Sequence, residues 1–364
     1  MVKPRLNPYK VAEIMKQTLT LFALICALPI FAQNSPYISH VYEYVPAPGQ
    51  FVNELPKYEA GDDATAMCLK VEEQIAENAR GMITLGGWGG YVVFGFDHPV
   101  VNVANEYDFI VEGNAFYSDV LGENAKGGSC EPGIVMVSVD ANNNGLPDDE
   151  WYELAGSEYT NPATKHNYQV TYERPAADHV ATPDPVQKYR IDTTFVHWID
   201  NMGESGYLVK IKSHKQPYYP EWIESDQLTF FGARLADNYV FESNQYILYA
   251  YDYGYADNHP DSNPNAQLNI DWAVRADGTP AGLKTIDFVK VYTALHQQCG
   301  AIGETSTEVM GARDLHPEAK PETGVESILT PESRHQKVLR NGQLLLRYNS
   351  RVYTILGKTI TNIF

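Results

Sequence analysis

The run Asp140-Ala-Asn142-Asn-Asn144-Gly145-Leu146-Pro-Asp148-Asp149-Glu150 carries side-chain oxygens at its first, third and fifth positions and glycine at its sixth. A hard cation such as calcium takes about six to eight oxygen ligands, and a loop supplies them in this order when glycine permits a sharp bend. Leu146 at position seven then offers its carbonyl. The twelfth position is Trp151 rather than a bidentate glutamate, so Asp148, Asp149, Glu150 or Glu153 must close the shell. The expected donors are Asp140, Asn142, Asn144, Leu146, Asp148 and Glu150, with calcium as a structural cofactor. An Asn-Gly hairpin turn would account for the same composition without an ion.

Two further groups bear on ligands. A second acidic stretch runs from Asp252 through Asp257 to Asp261 and is followed by Asp271-Trp272, but its spacing fits no single loop. Aromatic residues stand beside glycine or proline at Trp88, Tyr91, Tyr218, Tyr219 and Trp222. Rings at loop tips stack on sugars and planar ligands, whereas rings in a sheet are more often core. The expected ligand-binding set is Trp88, Tyr91, Tyr218, Tyr219, Trp222, Asp257, Asp271 and Trp272. No GxSxG, HExxH or phosphate loop occurs, and the ten histidines lack ligand spacing. Carboxylates for glycoside cleavage can be drawn from Asp97, Glu112, Asp252 or Asp271, but in so acidic a chain such pairs are easily found. A non-catalytic role is therefore expected.

The elements that must position these residues are mostly strands. Residues 62–78 place Ala66, Leu69, Val71, Ile75 and Ala76 at near-helical spacing and predict one helix. After Gly86-Gly87-Trp88-Gly89-Gly90 the period shortens, and strands are expected at 91–96, 107–111, 134–139, 168–172, 206–211, 228–231, 246–251, 268–274 and 286–292. Many short strands and 25 tyrosines predict a mainly β fold, a jelly-roll β-sandwich with one N-terminal helix and a short C-terminal β hairpin unit.

Met15-Lys16, the apolar run 19–31 and Ala32 have the three-part layout of a cleavable signal peptide, which makes the first fourteen residues an overextended start. Cys26 follows Leu24-Ile25, bulky where a lipoprotein signal needs a small residue. The chain then divides into 1–32 (signal), 33–316 (sandwich), 317–336 (a Pro-rich polar linker) and 337–364 (a β tail). From Gln33 onward, 23 basic residues face 45 acidic ones, near −22, which disfavours nucleic acid and favours cations. Cys68, Cys130 and Cys299 allow one disulfide or three buried thiols in an exported chain.

Several stretches together resemble a known family: Leu85-Gly-Gly-Trp-Gly-Gly-Tyr-Val-Val-Phe-Gly-Phe-Asp97-His-Pro, Tyr107-Asp-Phe-Ile-Val-Glu112-Gly-Asn114-Ala-Phe116, Glu131-Pro-Gly-Ile-Val-Met-Val-Ser-Val-Asp140, Trp151-Tyr-Glu-Leu-Ala-Gly-Ser-Glu158 and Ile286-Asp-Phe-Val-Lys-Val-Tyr292. Over about residues 40–316 the chain resembles uncharacterised cell surface proteins of Bacteroides and relatives. The resemblance implies a jelly roll similar to galactose-binding-like domains, displayed on the outer surface alongside nutrient capture, with an outer-membrane transporter as a partner. The tail Lys337-Val-Leu-Arg-Asn-Gly-Gln-Leu-Leu-Leu-Arg, with Tyr353 and Gly357, looks like a shortened sorting domain of type IX secretion, which implies contact with that machinery. The expected function is capture of a carbohydrate, or of another small nutrient such as a vitamin complex. A glycan hydrolase and a purely structural surface protein are the alternatives.

Overall fold

The computed structural model describes residues 34–122 and 125–321, together with the strands His335–Arg340, Gln343–Tyr348, Arg351–Thr354 and Thr359–Ile360. The chain divides into Met1–Asn34 and Ser35–Phe364. The expected signal segment, and the linker residues 322–334, lie outside the described residues.

A helix, α1, spans Ala64–Ile75 and is the one α-helix among the described residues. It starts at Asp63, whose side chain accepts from the Ala66 N–H and so satisfies one of the free amides of the first turn. Met67, Val71 and Ile75 form its buried stripe at every fourth position. The expected apolar set was one residue out of phase at its start: Leu69 points to solvent and Met67 takes the inner position.

The stripe joins a core built on the largest sheet. The strands His40–Val45, Tyr91–Val101, Thr285–Thr293, Gly133–Ser138, Trp151–Leu154 and Ala273–Val274 lie side by side in that order, all antiparallel, and Tyr255–Ala256 also pairs with Gly133–Ser138. Val289 sits between Phe94 and Val137. In Tyr91–Val101, residues 92–96 are consecutively buried instead of alternating, the mark of a strand covered on both faces.

A second antiparallel sheet has the order Ser205–Ile211, Arg190–Asp200, Lys165–Glu173, Gln227–Arg234. Its middle strand alternates: Tyr168, Val170 and Tyr172 point inward and form a second core with Trp88, Val196, Leu208, Tyr218 and Phe230. These layers bear out the mainly β, sandwich-type expectation with its single helix. The tail forms a four-stranded antiparallel sheet starting at His335. Cys68, Cys130 and Cys299 are free thiols, as in the second of the two readings left open by the sequence, but Cys68 is only half-buried.

The glycine-rich segment 86–90 is where backbone packs on backbone. A Cβ on Gly86, whose φ is +68°, would meet the Ala47 carbonyl oxygen at 1.9 Å, and one on Gly90 would meet the Leu85 oxygen at 1.9 Å. Trp88, between them, is fully buried against Tyr168 (4.8 Å between ring centroids) and donates its indole N–H to the Ala233 carbonyl at 3.3 Å. Trp88→Ala should therefore lower stability by about 3–5 kcal/mol through loss of contacts and the cavity left behind. Equilibrium urea unfolding checks this; a loss under about 1 kcal/mol would contradict the packing role.

Candidate functional site

The loop after Gly133–Ser138 closes on itself through local hydrogen bonds. Asp140 is anchored by its own N–H, which donates to Asp287 Oδ2 at 2.9 Å. Its carboxylate accepts from the Asn144 N–H (3.0 Å) and the Gly145 N–H (2.9 Å), while Asn142 Oδ1 accepts from Asn144 N–H and Asn144 Oδ1 from Leu146 N–H. Asn142 and Asn144 donate their amides to Asp148 at 3.0 Å. Four of the six expected donors, Asp140, Asn142, Asn144 and Asp148, thus converge. Leu146 keeps its side chain outward, and only its backbone belongs to the loop. The Glu150 carboxylate accepts from Tyr152 Oη at 2.8 Å. Asp149 instead returns to the loop, accepting from the Ala141 N–H at 3.0 Å.

The expected ligand aromatics are mostly interior, which corrects their reading as exposed loop-tip rings. Trp88, Tyr218, Tyr219 and Trp222 are buried. Tyr218 packs edge-on against Phe195, Tyr219 donates to the Ser225 carbonyl, and Trp222 stacks on Tyr44. Tyr218 and Tyr219 still border a cleft of about 320 Å³ with Arg174, Phe195 and Lys210. Tyr91 is half-buried with one face taken by Lys290 Nζ at 3.8 Å and its hydroxyl by Glu43. Asp271 is exposed and accepts from Asn102, and Trp272 is half-buried between Tyr107 and Tyr253. The four carboxylates considered for hydrolysis are likewise held apart by separate partners: Asp97 by His98, Glu112 by Arg313, Asp252 by Lys126 and Asp271 by Asn102.

The largest cleft described lies elsewhere. It encloses about 640 Å³ between Trp151, Glu153, Tyr159, His166, Phe231, Arg275 and Asp277. The strand Trp151–Leu154 comes straight out of the Asp140 loop, and its alternate residues Trp151 and Glu153 share one face. Glu153 is therefore a wall of this cleft and not a loop donor. Phe230 turns inward to the second core, which sends its neighbour Phe231 outward with 71% of its surface exposed. Tyr159 and His166 meet edge to face at 4.9 Å, and the His166 Nε2 lies 3.0 Å from the Tyr159 carbonyl oxygen. Arg275 is spent on the carbonyls of Pro280 and Ala281. Asp277 accepts from the Thr279 hydroxyl and N–H, and those two bonds hold its carboxyl below the usual range. Glu153 has no hydrogen bond or ion pair among the described residues, and burial pushes it up to about 7. Neither periodicity nor motif singled out this cleft; Trp-x-Glu alternation after the loop was the available signal.

Asp257, expected at a surface, is interior. Its carboxylate oxygens and those of Glu131 and Glu308 all lie within 4.8 Å of one another. Asp257 accepts from the N–H groups of Asn114, Ala115 and Glu308, and Glu308 accepts from Ser306 and Thr84. Glu304 is buried beside them and accepts from the Gln50 N–H. No cationic side chain pairs with these groups among the described residues. Burial, then mutual repulsion, holds Glu131 and Asp257 well above the carboxyl range, while burial foremost brings Glu304 to about 8 and Glu308 to about 7. Such a set either shares protons or takes up a hard cation.

The sequence matches no family model and no curated protein.

The raised carboxyls set the pH dependence. In the folded state Glu304 and Glu308 stay protonated from about pH 4.5, where the unfolded groups ionise, up to about 8 and about 7, and Glu131 and Asp257 shift in the same direction, so stability falls as pH rises, by about 1.4 kcal/mol per unit for each group while it stays protonated. In chelator, the urea midpoint should decline from pH 5 to pH 8. Glu308→Gln should make the decline shallower; an unchanged slope would argue against this cluster as its source.

Proposed function

We propose that the protein is an exported, non-catalytic binding module with jelly-roll connectivity that captures a saccharide in the Trp151–Phe231 cleft, braced by calcium in the Asp140 loop. The observation that carries the reading is the cleft itself. It combines exposed or half-exposed rings (Trp151, Tyr159, Phe231) with hydrogen-bonding groups (Glu153, His166, Asp277), and pockets of a few hundred Å³ with that mixture are the usual form of small-ligand sites. Rings supply apolar faces for the C–H side of a sugar, and carboxyl and imidazole groups address its hydroxyls. Glu153, which burial keeps protonated below about pH 7, adds a donor there that an ionised carboxylate lacks. Export rests on the signal layout of residues 15–32, and display at the cell surface on the tail from Lys337.

The loop serves the cleft through the chain. Asp140 and Asp148 supply charge, Asn142, Asn144 and the Leu146 carbonyl supply neutral oxygens, and this all-oxygen set suits calcium. Three residues past Asp148, Trp151 begins the strand that lines the cleft, so a cation holding the loop also fixes the register of that strand. Its side-chain partner in this region, Ser138 Oγ, donates to the Glu150 carbonyl at 2.9 Å.

Two measurements test the reading. Titration of glycans selected on an array should show binding without turnover, reduced about tenfold or more by Phe231→Ala or Trp151→Ala; hydrolysis of a bound glycan would make the protein an enzyme instead. Thermal unfolding with calcium should run several degrees above the chelated protein, because an ion held only by the folded state adds about 2.7 kcal/mol at a hundredfold excess over its Kd. Asp140→Ala should abolish the difference. A calcium-independent midpoint in the unaltered protein would remove calcium from the proposal.

A further inference from the structure

A second cleft, of about 560 Å³, shares no residue with the first. One wall is the hairpin Tyr239–Glu242 and Gln245–Tyr249, closed by the two-residue turn Ser243-Asn244. Both turn residues have positive φ, 51° and 63°, the geometry of a tight turn whose twist matches paired strands. The hairpin sets Phe241 opposite Tyr246, with ring centroids 4.7 Å apart. Phe241 is 55% exposed, an unusual cost for a phenylalanine that has no covering partner among the described residues. The opposite wall is the loop Cys299–Ile302, which comes so close that a Cβ on Gly300, whose φ is +57°, would stand 2.6 Å from the Tyr246 ring. Gln187 and Tyr189 close the third side.

The polar side chains here are all neutral: the amides of Gln187, Asn244 and Gln245, the hydroxyls of Tyr189 and Tyr246, and the Cys299 thiol. Gln187 Oε1 accepts from the Tyr189 hydroxyl at 2.6 Å, which leaves its NH₂ available. The side-chain amides of Asn244 and Gln245 make no hydrogen bond among the described residues. Among the described residues no Asp, Glu, Lys, Arg or His lines the cleft, although the chain carries a formal charge of −19. An ionic ligand would find no counter-charge there. A purely apolar ligand would strand three amides, at the cost of unpaired polar groups. Vicinal hydroxyls each donate and accept, as a primary amide does, and a sugar ring also has an apolar face for Phe241 and Tyr246.

We propose that this cleft is a second saccharide site, specific for a neutral sugar, so that one chain engages a glycan at two points. The inference extends the saccharide reading given above but uses none of its residues. Two linked contacts raise the effective concentration of the second once the first has formed.

The test uses the whole protein and four probes: xylohexaose, cellohexaose, mannohexaose and, as an acidic control, hexagalacturonate, with stoichiometry read by native mass spectrometry and affinity by calorimetry. A neutral hexasaccharide should bind at two sites per chain. Phe241→Ala, and separately Gln245→Ala, should remove one of them, and Trp151→Ala the other. Affinity at the Phe241 site should change less than about twofold when salt rises from 0.1 M to 1 M, because no screened charge takes part. If Phe241→Ala and Gln245→Ala both leave stoichiometry and affinity unchanged while Trp151→Ala abolishes binding, the second site is refuted and the first stands. If Trp151→Ala changes nothing and Phe241→Ala abolishes binding, the second site stands and the first is refuted. Binding of hexagalacturonate alone, or of none of the four, refutes the neutral-sugar assignment.

Discussion

The close approach of backbone at residues 86–90 is the constraint on which the layers depend. The Leu85 carbonyl accepts from Ala47 N–H, the Gly86 carbonyl from the Thr293 hydroxyl, and the Trp88 carbonyl from the Tyr172 hydroxyl. These three bonds reach the segment after the first strand, the central strand Thr285–Thr293 and the middle strand of the outer sheet. Only a chain without side chains at its crossing points can pass so near all three. Trp88 then fills what the glycines leave open, which turns a thin crossing into a packed joint.

From that joint outward, the order of the sheets decides what becomes a site. Gln227–Arg234 is an outer strand held with Phe230 inside, and its pleat obliges Phe231 to face solvent. Trp151–Leu154 lies toward the edge of the large sheet, next to the two-residue strand Ala273–Val274. Glu153 is desolvated there, with no hydrogen bond or ion pair among the described residues. The large cleft is thus a by-product of two strand registers and one short neighbour, and its polarity follows from residues delivered by separate parts of the chain.

This explains what was legible beforehand. The Asp140 loop could be read because all its donors lie within nine residues and address local N–H groups. The long strands 91–96 and 286–292 could be read because buried runs of Val, Ile and Phe have few other uses. The strand Arg190–Asp200 was not among those expected: Asp192 and the threonines around it look like turn residues until His179, Thr182 and Thr194 are seen bonding to the Asp192 carboxylate. Tyr218, Tyr219 and Trp222 stand beside prolines, as exposed loop rings do, yet tertiary packing encloses them. The acidic cluster draws Glu131, Asp257 and Glu308 from positions far apart in the chain, and no spacing rule connects them.

The free thiols carry a consequence of their own. Cys130 and Cys299 are buried, and desolvation holds both up to about 12, so neither is a nucleophile at neutral pH. With no covalent cross-link between its layers, the described body owes its shape to packing and hydrogen bonds alone. Folding of the described body therefore needs no disulfide-forming oxidant.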